Sequence, residues 1–193
     1  LDPTFTLGAS LSQAWAVAVQ NDGRVLVGGF DAAEGEDSGE PVYRVFRFQA
    51  DGSRDLTFRS PALAGLSRFI TLQPAGRVLV AASPGAHPGS YGSTLVRLNS
   101  DGTHDATFTA PVLDSMQGGA IFAPIVVDST GRIVIAGTFT TVNGAPRLNV
   151  ARLLANGTLD STFVPSGYTT SGTFTQVRGL ALQSQGANAG KLL

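Results

Sequence analysis

Short apolar runs separated by polar, glycine-rich turns follow one another along the whole chain. Residues 14–20 form one such run, and residues 24–30 form the next after the turn Asn21-Asp22-Gly23. An alternating run at residues 42–49 and a short segment at 55–58 complete the first group. Runs of this length bounded by Gly, Asn and Asp are typical of β-strands, and no segment has a sustained helical period. The pattern predicts an all-β chain of short antiparallel strands.

The segment Asp-x-Thr-Phe closes each group of strands and occurs four times, with its aromatic residue at Phe5, Phe58, Phe108 and Phe163. Recurrence at intervals of 50 to 55 residues indicates a repeat architecture. The predicted units are an orphan outer strand at 1–5, blades at 6–58, 59–108 and 109–163, and a partial fourth blade at 164–193. Within the later units, strands are predicted at 67–73, 77–83, 94–99, 105–108, 121–128, 132–139, 147–154, 160–163 and 177–183.

Four-stranded units of about 50 residues predict the blades of a β-propeller. A β-solenoid is the alternative, but its rungs are usually shorter and need fewer Asp-Gly hairpins. The fourth unit lacks its later strands, so we expect about three complete blades and an open ring. Other protein chains, or further repeats of the same protein, would then complete the ring, because exposed sheet edges favour pairing.

The third unit carries the clearest form of the repeat. Its pattern is Gly131-Arg132-Ile133-Val134-Ile135-Ala136-Gly137-Thr138-Phe139, Asn143-Gly144, Asn156-Gly157 and Leu159-Asp160-Ser161-Thr162-Phe163. This pattern resembles the delta-60 repeat, a bacterial family of unknown function regarded as a β-propeller and found in large surface and secreted proteins. The first two units depart from it in the loops at residues 31–41 and 84–93. The resemblance implies the fold and a bacterial cell-surface or extracellular location, and it implies no catalytic residue.

Periodic charges accompany the motif. In each unit an arginine precedes the motif aspartate by eight residues, in the pairs Arg47 and Asp55, Arg97 and Asp105, and Arg152 and Asp160. A hairpin closed by glycine places such residues opposite one another, which predicts a structural ion pair; a ring of ligand-binding arginines is the alternative. Phe58, Phe108 and Phe163 are predicted to pack between blades. A cation follows each turn glycine. These cations are either solvated charges at the starts of strands or contacts for an anionic partner: Arg24, Arg77, Arg132 and Lys191.

Features that do not repeat are the candidates for a binding site. Five carboxylates lie in one loop, Asp31, Glu34, Glu36, Asp37 and Glu40, and could hold calcium or a basic partner, or simply be solvated. Tyr91, together with Trp15, could line a sugar or peptide site. The only histidines, His87 and His104, occupy different positions in their units and predict no metal cluster or catalytic triad.

Composition removes several function classes. A net charge of −1 gives no basic field for nucleic acid. The absence of cysteine excludes disulfides and thiol nucleophiles, and no apolar run approaches the roughly 20 residues that membrane insertion needs. These features favour a non-catalytic module with a scaffold, adhesion or assembly role and no cofactor other than possible calcium. A glycan- or calcium-dependent binding propeller and a propeller hydrolase are the alternatives, although no set of catalytic acids can be placed for the latter.

Overall fold

The computed structural model describes residues 5–6, 11–31, 41–83, 92–114, 120–121, 123–165 and 177–183. Within these residues the chain consists of short antiparallel strands and a single 3₁₀ turn, Pro74–Gly76. No helix in this part of the chain is long and apolar enough to cross a membrane.

The first blade is a three-stranded sheet. It contains β1 (Gln13–Val19), β2 (Val25–Phe30) and β3 (Tyr43–Phe48), hydrogen-bonded in that order. Gly23 closes the β1–β2 turn with a φ of +83°, a conformation that glycine adopts without steric cost. These strands match the apolar runs predicted at residues 14–20, 24–30 and 42–49.

The second blade repeats this sheet. It contains β4 (Leu66–Leu72), β5 (Val78–Ser83) and β6 (Thr94–Leu98), again in sequential order. The register shifts at the same place in both first strands, between Ala14 and Ala16 in β1 and between Ser67 and Phe69 in β4. The first two blades therefore share even the position of this β-bulge.

The third blade has shorter strands and an additional sheet. The strands of this region are β7 (Leu113–Asp114), β8 (Val126–Val127), β9 (Ile133–Ala136), β10 (Thr141–Val142), β11 (Ala145–Pro146) and β12 (Val150–Leu153). The blade sheet has the order β12-β9-β8, and the additional sheet has the order β11-β10-β7. The predicted strand at 121–128 is reduced to β8 and an isolated bridge between Ile121 and Gly137. The additional sheet was not predicted.

The strands predicted at 55–58, 105–108 and 160–163 are wrong. The residue before each segment makes one isolated bridge, and the segment itself then turns; the bridges are Phe48–Arg54, Leu98–His104 and Leu153–Leu159. The physical reason is the motif itself, because Asp55 accepts the amide of Thr57 and so closes a turn in place of a ladder. The described blades thus have three laddered strands and a fourth, bridged segment. Residues 1–4 of the predicted orphan strand lie outside the described residues.

The predicted strand at 177–183 is also absent, apart from a bridge residue at Leu182. Gly179 sits in the middle of this segment, and glycine weakens a strand interior. The segment nevertheless packs as the start of a following blade. Val177 and Leu180 lie against a core of Ala123, Val134, Ala136 and Val150, with Phe163 beside them.

The chain divides into two compact units, residues 1–85 with 96–105 and residues 86–95 with 106–193. The first unit has a core of Leu26, Val45, Phe58, Val78, Val80 and Leu98. Register makes Leu26 and Val45 equivalent to Val134 and Val150 of the second core. Both units therefore bury the same positions of the repeat.

Candidate functional site

The motif aspartates form the same ion pair in all three blades. The pairs are Arg47–Asp55, Arg97–Asp105 and Arg152–Asp160, each with 2.8 Å between the arginine Nε and the aspartate Oδ2. In each pair the aspartate amide also donates to the arginine carbonyl at 2.9 Å. The eight-residue spacing thus places the two residues opposite one another, as the hairpin argument predicts.

The threonine of the motif binds the second carboxylate oxygen. Asp55 Oδ1 accepts hydrogen bonds from the Thr57 amide at 3.0 Å and the Thr57 hydroxyl at 2.6 Å. Asp160 makes the same two bonds with Thr162. The aspartate carboxylate therefore joins the arginine of the preceding strand to the turn that follows the aspartate.

The phenylalanine of the motif covers the arginine. The guanidinium carbon of Arg47 lies 4.6 Å from the centre of the Phe58 ring, and that of Arg152 lies 4.7 Å from the Phe163 ring. A cation over an aromatic face is attracted by the ring quadrupole, more strongly where water is excluded. The aspartate and phenylalanine of the motif thus contact one buried arginine, and the threonine binds the aspartate that holds it.

A second arginine approaches the same carboxylates. Arg24 lies 3.6 Å from Asp55 Oδ2, and Arg77 lies 3.6 Å from Asp105 Oδ2. These are the cations that follow the turn glycines, and sequence patterns alone did not connect them with the motif. Arg24 also holds Asp22 through hydrogen bonds of 2.9 and 2.6 Å.

The residue after each of the first three motifs binds the turn of the following blade. The bonds are Thr6 N–H to Asp51 O at 3.1 Å, Arg59 N–H to Asp101 O at 2.7 Å and Thr109 N–H to Asn156 O at 2.8 Å. We call this contact, between the residue after the motif and the Asx-Gly turn of the next blade, the blade joint. It was not predicted, because the Asp-Gly and Asn-Gly pairs were interpreted only as hairpin turns.

Glycine is required at the blade joint for two reasons. Gly102 has a φ of +88°, which side chains other than glycine rarely adopt. A Cβ there would lie 2.8 Å from Arg59 N and 2.9 Å from the Phe58 ring. A Cβ on Gly157 would likewise lie 2.7 Å from the Phe108 ring. Phe58 and Phe108 therefore pack on the turn of the next blade.

Arg47 links two blades directly. Besides binding Asp55, it donates from Nη1 to the carbonyl of Ser100 at 2.7 Å, immediately before the Asp101-Gly102 turn. The Arg–Asp pair and the blade joint are thus parts of one contact surface in the first unit.

The third pair is more open than the first two. The side chains of Arg47 and Arg97 are each 5% exposed, whereas that of Arg152 is 23% exposed. Phe163 is half-buried, whereas Phe58 and Phe108 are buried. The cost of removing a pair should therefore differ along the chain.

Two of the motif carboxylates, Asp55 and Asp160, have lowered pKa values. Burial opposes ionisation of Asp55, but hydrogen bonds from Thr57 and Arg47 outweigh it and lower the pKa of this carboxyl below its ordinary value. The Thr162 hydroxyl, opposed by burial and helped by Arg152, lowers the pKa of Asp160. Hydrogen bonds from Thr103 lower the pKa of Asp101 in the second turn.

Stability should consequently fall in acid. A depressed folded-state pKa contributes stability above the unfolded-state pKa of about 3.9, and this contribution is lost as the pH falls through the folded-state value. Asp55, Asp101 and Asp160 all shift in this direction. We expect the urea midpoint to be flat from about pH 7 to 5 and to fall steadily below about pH 4. An unchanged midpoint down to about pH 2 would contradict this expectation.

The acidic-loop candidates are described in part. Asp31 is buried at the end of β2, 3.8 Å from Arg54, whose guanidinium in turn lies 4.6 Å from the Phe46 ring centre. The other candidates lie outside the described residues: Glu34, Glu36, Asp37, Glu40 and Tyr91. Within the part of the chain that the structure describes, no group of three or more His, Cys, Asp or Glu side chains could hold a metal ion.

The aromatic candidate Trp15 belongs to a cluster on the first blade. Its ring centre lies 6.0 Å from that of Phe30 in a stacked arrangement and 5.6 Å from that of Tyr43. Phe30 and Tyr43 pair across β2 and β3. Trp15 thus packs on its own sheet while remaining partly exposed.

Comparison with known proteins identifies the repeat. A family model described as "Domain of unknown function (DUF5122) beta-propeller" matches residues 20–58, 73–108 and 129–163, more than half of the chain. The three matches end at the three motif phenylalanines Phe58, Phe108 and Phe163. No curated protein matches the chain.

Two solved structures are similar in fold. A gluconolactonase of Xanthomonas campestris is 16% identical with a TM-score of 0.50, and the alignment covers 93% of this chain and 53% of that one. A structural genomics target provisionally described as a gluconolactonase is 17% identical with a TM-score of 0.47, covering 93% and 54%. The chain spans about half the length of both proteins. The prediction of an all-β, β-propeller fold is confirmed.

Proposed function

The chain belongs to the DUF5122 beta-propeller family, and from this premise we propose that it is a non-catalytic scaffold module of a bacterial surface or secreted protein. In this role its blades serve assembly and adhesion. We further propose that its repeat is of the delta-60 type, on the pattern carried by residues 131–163. A fold alone does not determine activity, so the proposal must rest on what the repeated residues do.

One observation carries the proposal: the motif residues are engaged in holding blades together. Arg47 binds Asp55, lies against Phe58 and donates to Ser100 of the next blade. Its Nε is already engaged with a buried carboxylate, and opening this pair would leave a buried charge uncompensated. A repeated motif used in this way favours a structural role over a ring of ligand-binding arginines.

The proposed location can be tested in the source bacterium. Brief protease treatment of intact cells, or analysis of the culture medium, should yield peptides of this chain before any cytoplasmic marker protein appears. Recovery of its peptides only after cell lysis would contradict a surface or secreted location.

A propeller hydrolase is the second candidate, favoured by the fold similarity to a gluconolactonase. The purified chain should leave the hydrolysis of gluconolactone at its spontaneous rate, with and without added Ca²⁺ or Zn²⁺. The matched control is the same solution after heat inactivation of the protein. Hydrolysis that rises in proportion to native protein would refute the non-catalytic proposal.

A calcium- or glycan-dependent binding module is the third candidate, suggested by the carboxylates that follow β2. Calorimetric titration with Ca²⁺, repeated on the variant Asp31→Asn, separates it from a scaffold. We expect no saturable heat from either protein. Saturable binding that Asp31→Asn abolishes would favour the binding module, and a glycan array with and without Ca²⁺ would then identify the ligand.

A further inference from the structure

The first blade carries an aromatic cluster that the other two blades lack. The ring centres of Trp15, Phe30 and Tyr43 lie 5.6 to 6.0 Å apart. Phe30 is the last residue of β2 and Tyr43 is the first residue of β3, so the cluster lies at one end of the sheet. Arg47, which binds the motif aspartate, lies towards the other end of β3. The cluster is therefore separate from the contacts that join the blades.

The repeat itself does not require these rings. Strand pairing and the spacing to the Arg–Asp pairs identify the equivalent positions in the other blades. The second blade has Arg68, Ser83 and Ser93 at the positions of Trp15, Phe30 and Tyr43, and the third blade has Thr138 and Leu148 at the positions of Phe30 and Tyr43. Both sheets form without an aromatic cluster, so the architecture of the blade does not explain it.

A β-bulge directs Trp15 onto the cluster. Trp15 is the extra residue of β1, between the paired residues Ala14 and Ala16, and an extra residue of this kind re-aims a side chain. Its ring is 36% exposed, whereas Phe30 and Tyr43 are half-buried. The indole is thus an accessible aromatic surface supported by two less exposed rings.

The face that carries the cluster also packs against the second blade. Leu26, Gly28 and Phe30 are two residues apart along β2 and therefore share one face of the sheet. A Cβ on Gly28 would clash with the side chain of Ser67 in β4. Within the first unit, the second blade thus covers this face at Gly28 and leaves Trp15 partly accessible.

The backbone beneath the cluster is held in place. The Ser12 amide donates to the carbonyl of Phe30 at 3.0 Å, and the Leu63 amide donates to the carbonyl of Tyr43 at 2.8 Å. The two supporting rings therefore stand on fixed backbone. A surface organised in advance loses little conformational entropy when it binds a ligand.

An uncharged polar side chain lies beside the rings. Gln13 is exposed and pairs with Phe30 across the strands, which places both side chains on the same face. Two charged residues that follow ring residues in the sequence are engaged elsewhere: Arg44 donates to a backbone carbonyl at 2.9 Å, and Asp31 lies 3.8 Å from Arg54. The described part of the cluster thus offers an aromatic face and an amide, which suits a neutral ligand.

We propose that Trp15 and Gln13 form a calcium-independent subsite for a neutral pyranose unit of a glycan. The C–H face of the sugar ring stacks on the indole, and the Gln13 amide exchanges hydrogen bonds with its hydroxyl groups. A proline-rich peptide docks between aromatic walls, but these rings contact one another and leave no slot between them. The inference rests on the proposed adhesion role and gives that role a class of ligand.

The fluorescence of Trp15 provides a direct assay, because it is the single tryptophan of the chain. Titration with cellohexaose, maltohexaose, mannohexaose and chitohexaose in the presence of EDTA should give a saturable change with at least one of them. We expect a Kd of about 1 mM or lower. The absence of saturation with all four sugars would overturn the proposal, as would saturation with a proline decamer alone.

Three variants test which residues bind the sugar, by calorimetry with far-UV circular dichroism as the check on folding. Trp15→Ala should weaken binding at least about tenfold, and Gln13→Ala about fivefold through its lost hydrogen bonds. Arg68→Ala, at the same bulge position of the second blade, is the matched control and should bind as the wild type does.

Gln13 is exposed, so Gln13→Ala decides the question if Trp15→Ala does not fold. Unchanged binding by Gln13→Ala, or equal weakening by Arg68→Ala, would overturn the proposal. Neither result changes the outcome of the protease or lactone experiments, so this inference and the proposed function can fail separately.

Discussion

Asp55→Ala should lower the free energy of unfolding by about 3–5 kcal/mol, because it leaves the buried Arg47 cation without its partner. Asp55 also accepts the Thr57 amide and hydroxyl, so the turn loses its bonds at the same time. Urea unfolding followed by the fluorescence of Trp15, the single tryptophan, measures the change in the first unit. The fluorescence midpoint should fall well below that of the wild type.

Two variants provide controls for this result. Asp22→Ala removes an exposed pair with Arg24, and exposed pairs contribute little, so its midpoint should match the wild type. Asp160→Ala removes the pair whose arginine is 23% exposed and should cost less than Asp55→Ala. Because Asp160 lies in the second unit and Trp15 in the first, this comparison is followed by far-UV circular dichroism. Equal losses for Asp22→Ala and Asp55→Ala would show that the buried pair has no special structural role.

Gly102→Ala should destabilise the first unit by about 2–5 kcal/mol. The left-handed backbone costs about 1–2 kcal/mol for a residue with a Cβ. The close approach to Arg59 N and the Phe58 ring, at 2.8 and 2.9 Å, adds about 1–3 kcal/mol of overpacking. The same urea titration measures both contributions together.

Gly144→Ala separates the two contributions. Gly144 has a φ of +76°, close to that of Gly102, but a Cβ there meets nothing within 4 Å. This variant should lose only the backbone contribution of about 1–2 kcal/mol. Gly144 lies in the second unit, so its unfolding is followed by far-UV circular dichroism and not by Trp15 fluorescence. If both variants lose the same amount, the blade joint makes no energetic contribution at Gly102.

The blade strands and the Arg–Asp pairs follow from local patterns in the sequence. A turn glycine and the apolar run after it define β2 and β5, and hairpin register places Arg47 opposite Asp55. The repeat of the motif predicted the propeller architecture because each complete unit carries the same four strand-like segments. Local rules suffice here because the residues concerned are less than ten positions apart.

The blade joint was missed because its two sides are far apart in the chain. Thr109 binds Asn156 and Arg59 binds Asp101, and no periodic pattern within either segment indicates such a contact. The glycine of each turn is the only local indication of the blade joint, and a hairpin turn explains that glycine equally well. The fourth strands were overpredicted for a related reason: β-like composition at residues 55–58 is outweighed by the Asp55–Thr57 turn.

The additional sheet of the third blade is marked by a local signal in the sequence. Asn143 and Gly144 have φ values of +51° and +76°, as a type I′ turn requires. Thr141 and Val142 on one side pair with Pro146 and Ala145 on the other. An Asn-Gly pair between short apolar segments is a strong hairpin signal, so this turn could be located from the sequence alone.

Native-state hydrogen exchange tests the central claim most directly, namely that the repeated motif joins one blade to the next. The amides of Arg59 and Thr109 donate to carbonyls of the following blade at 2.7 and 2.8 Å. They should be protected to within about tenfold of Val80 in the central strand β5, because they open only when the blades separate. Exchange of both amides at the rate of an unstructured peptide would contradict the account. It would show that the residues after the motif are solvated and do not join the blades.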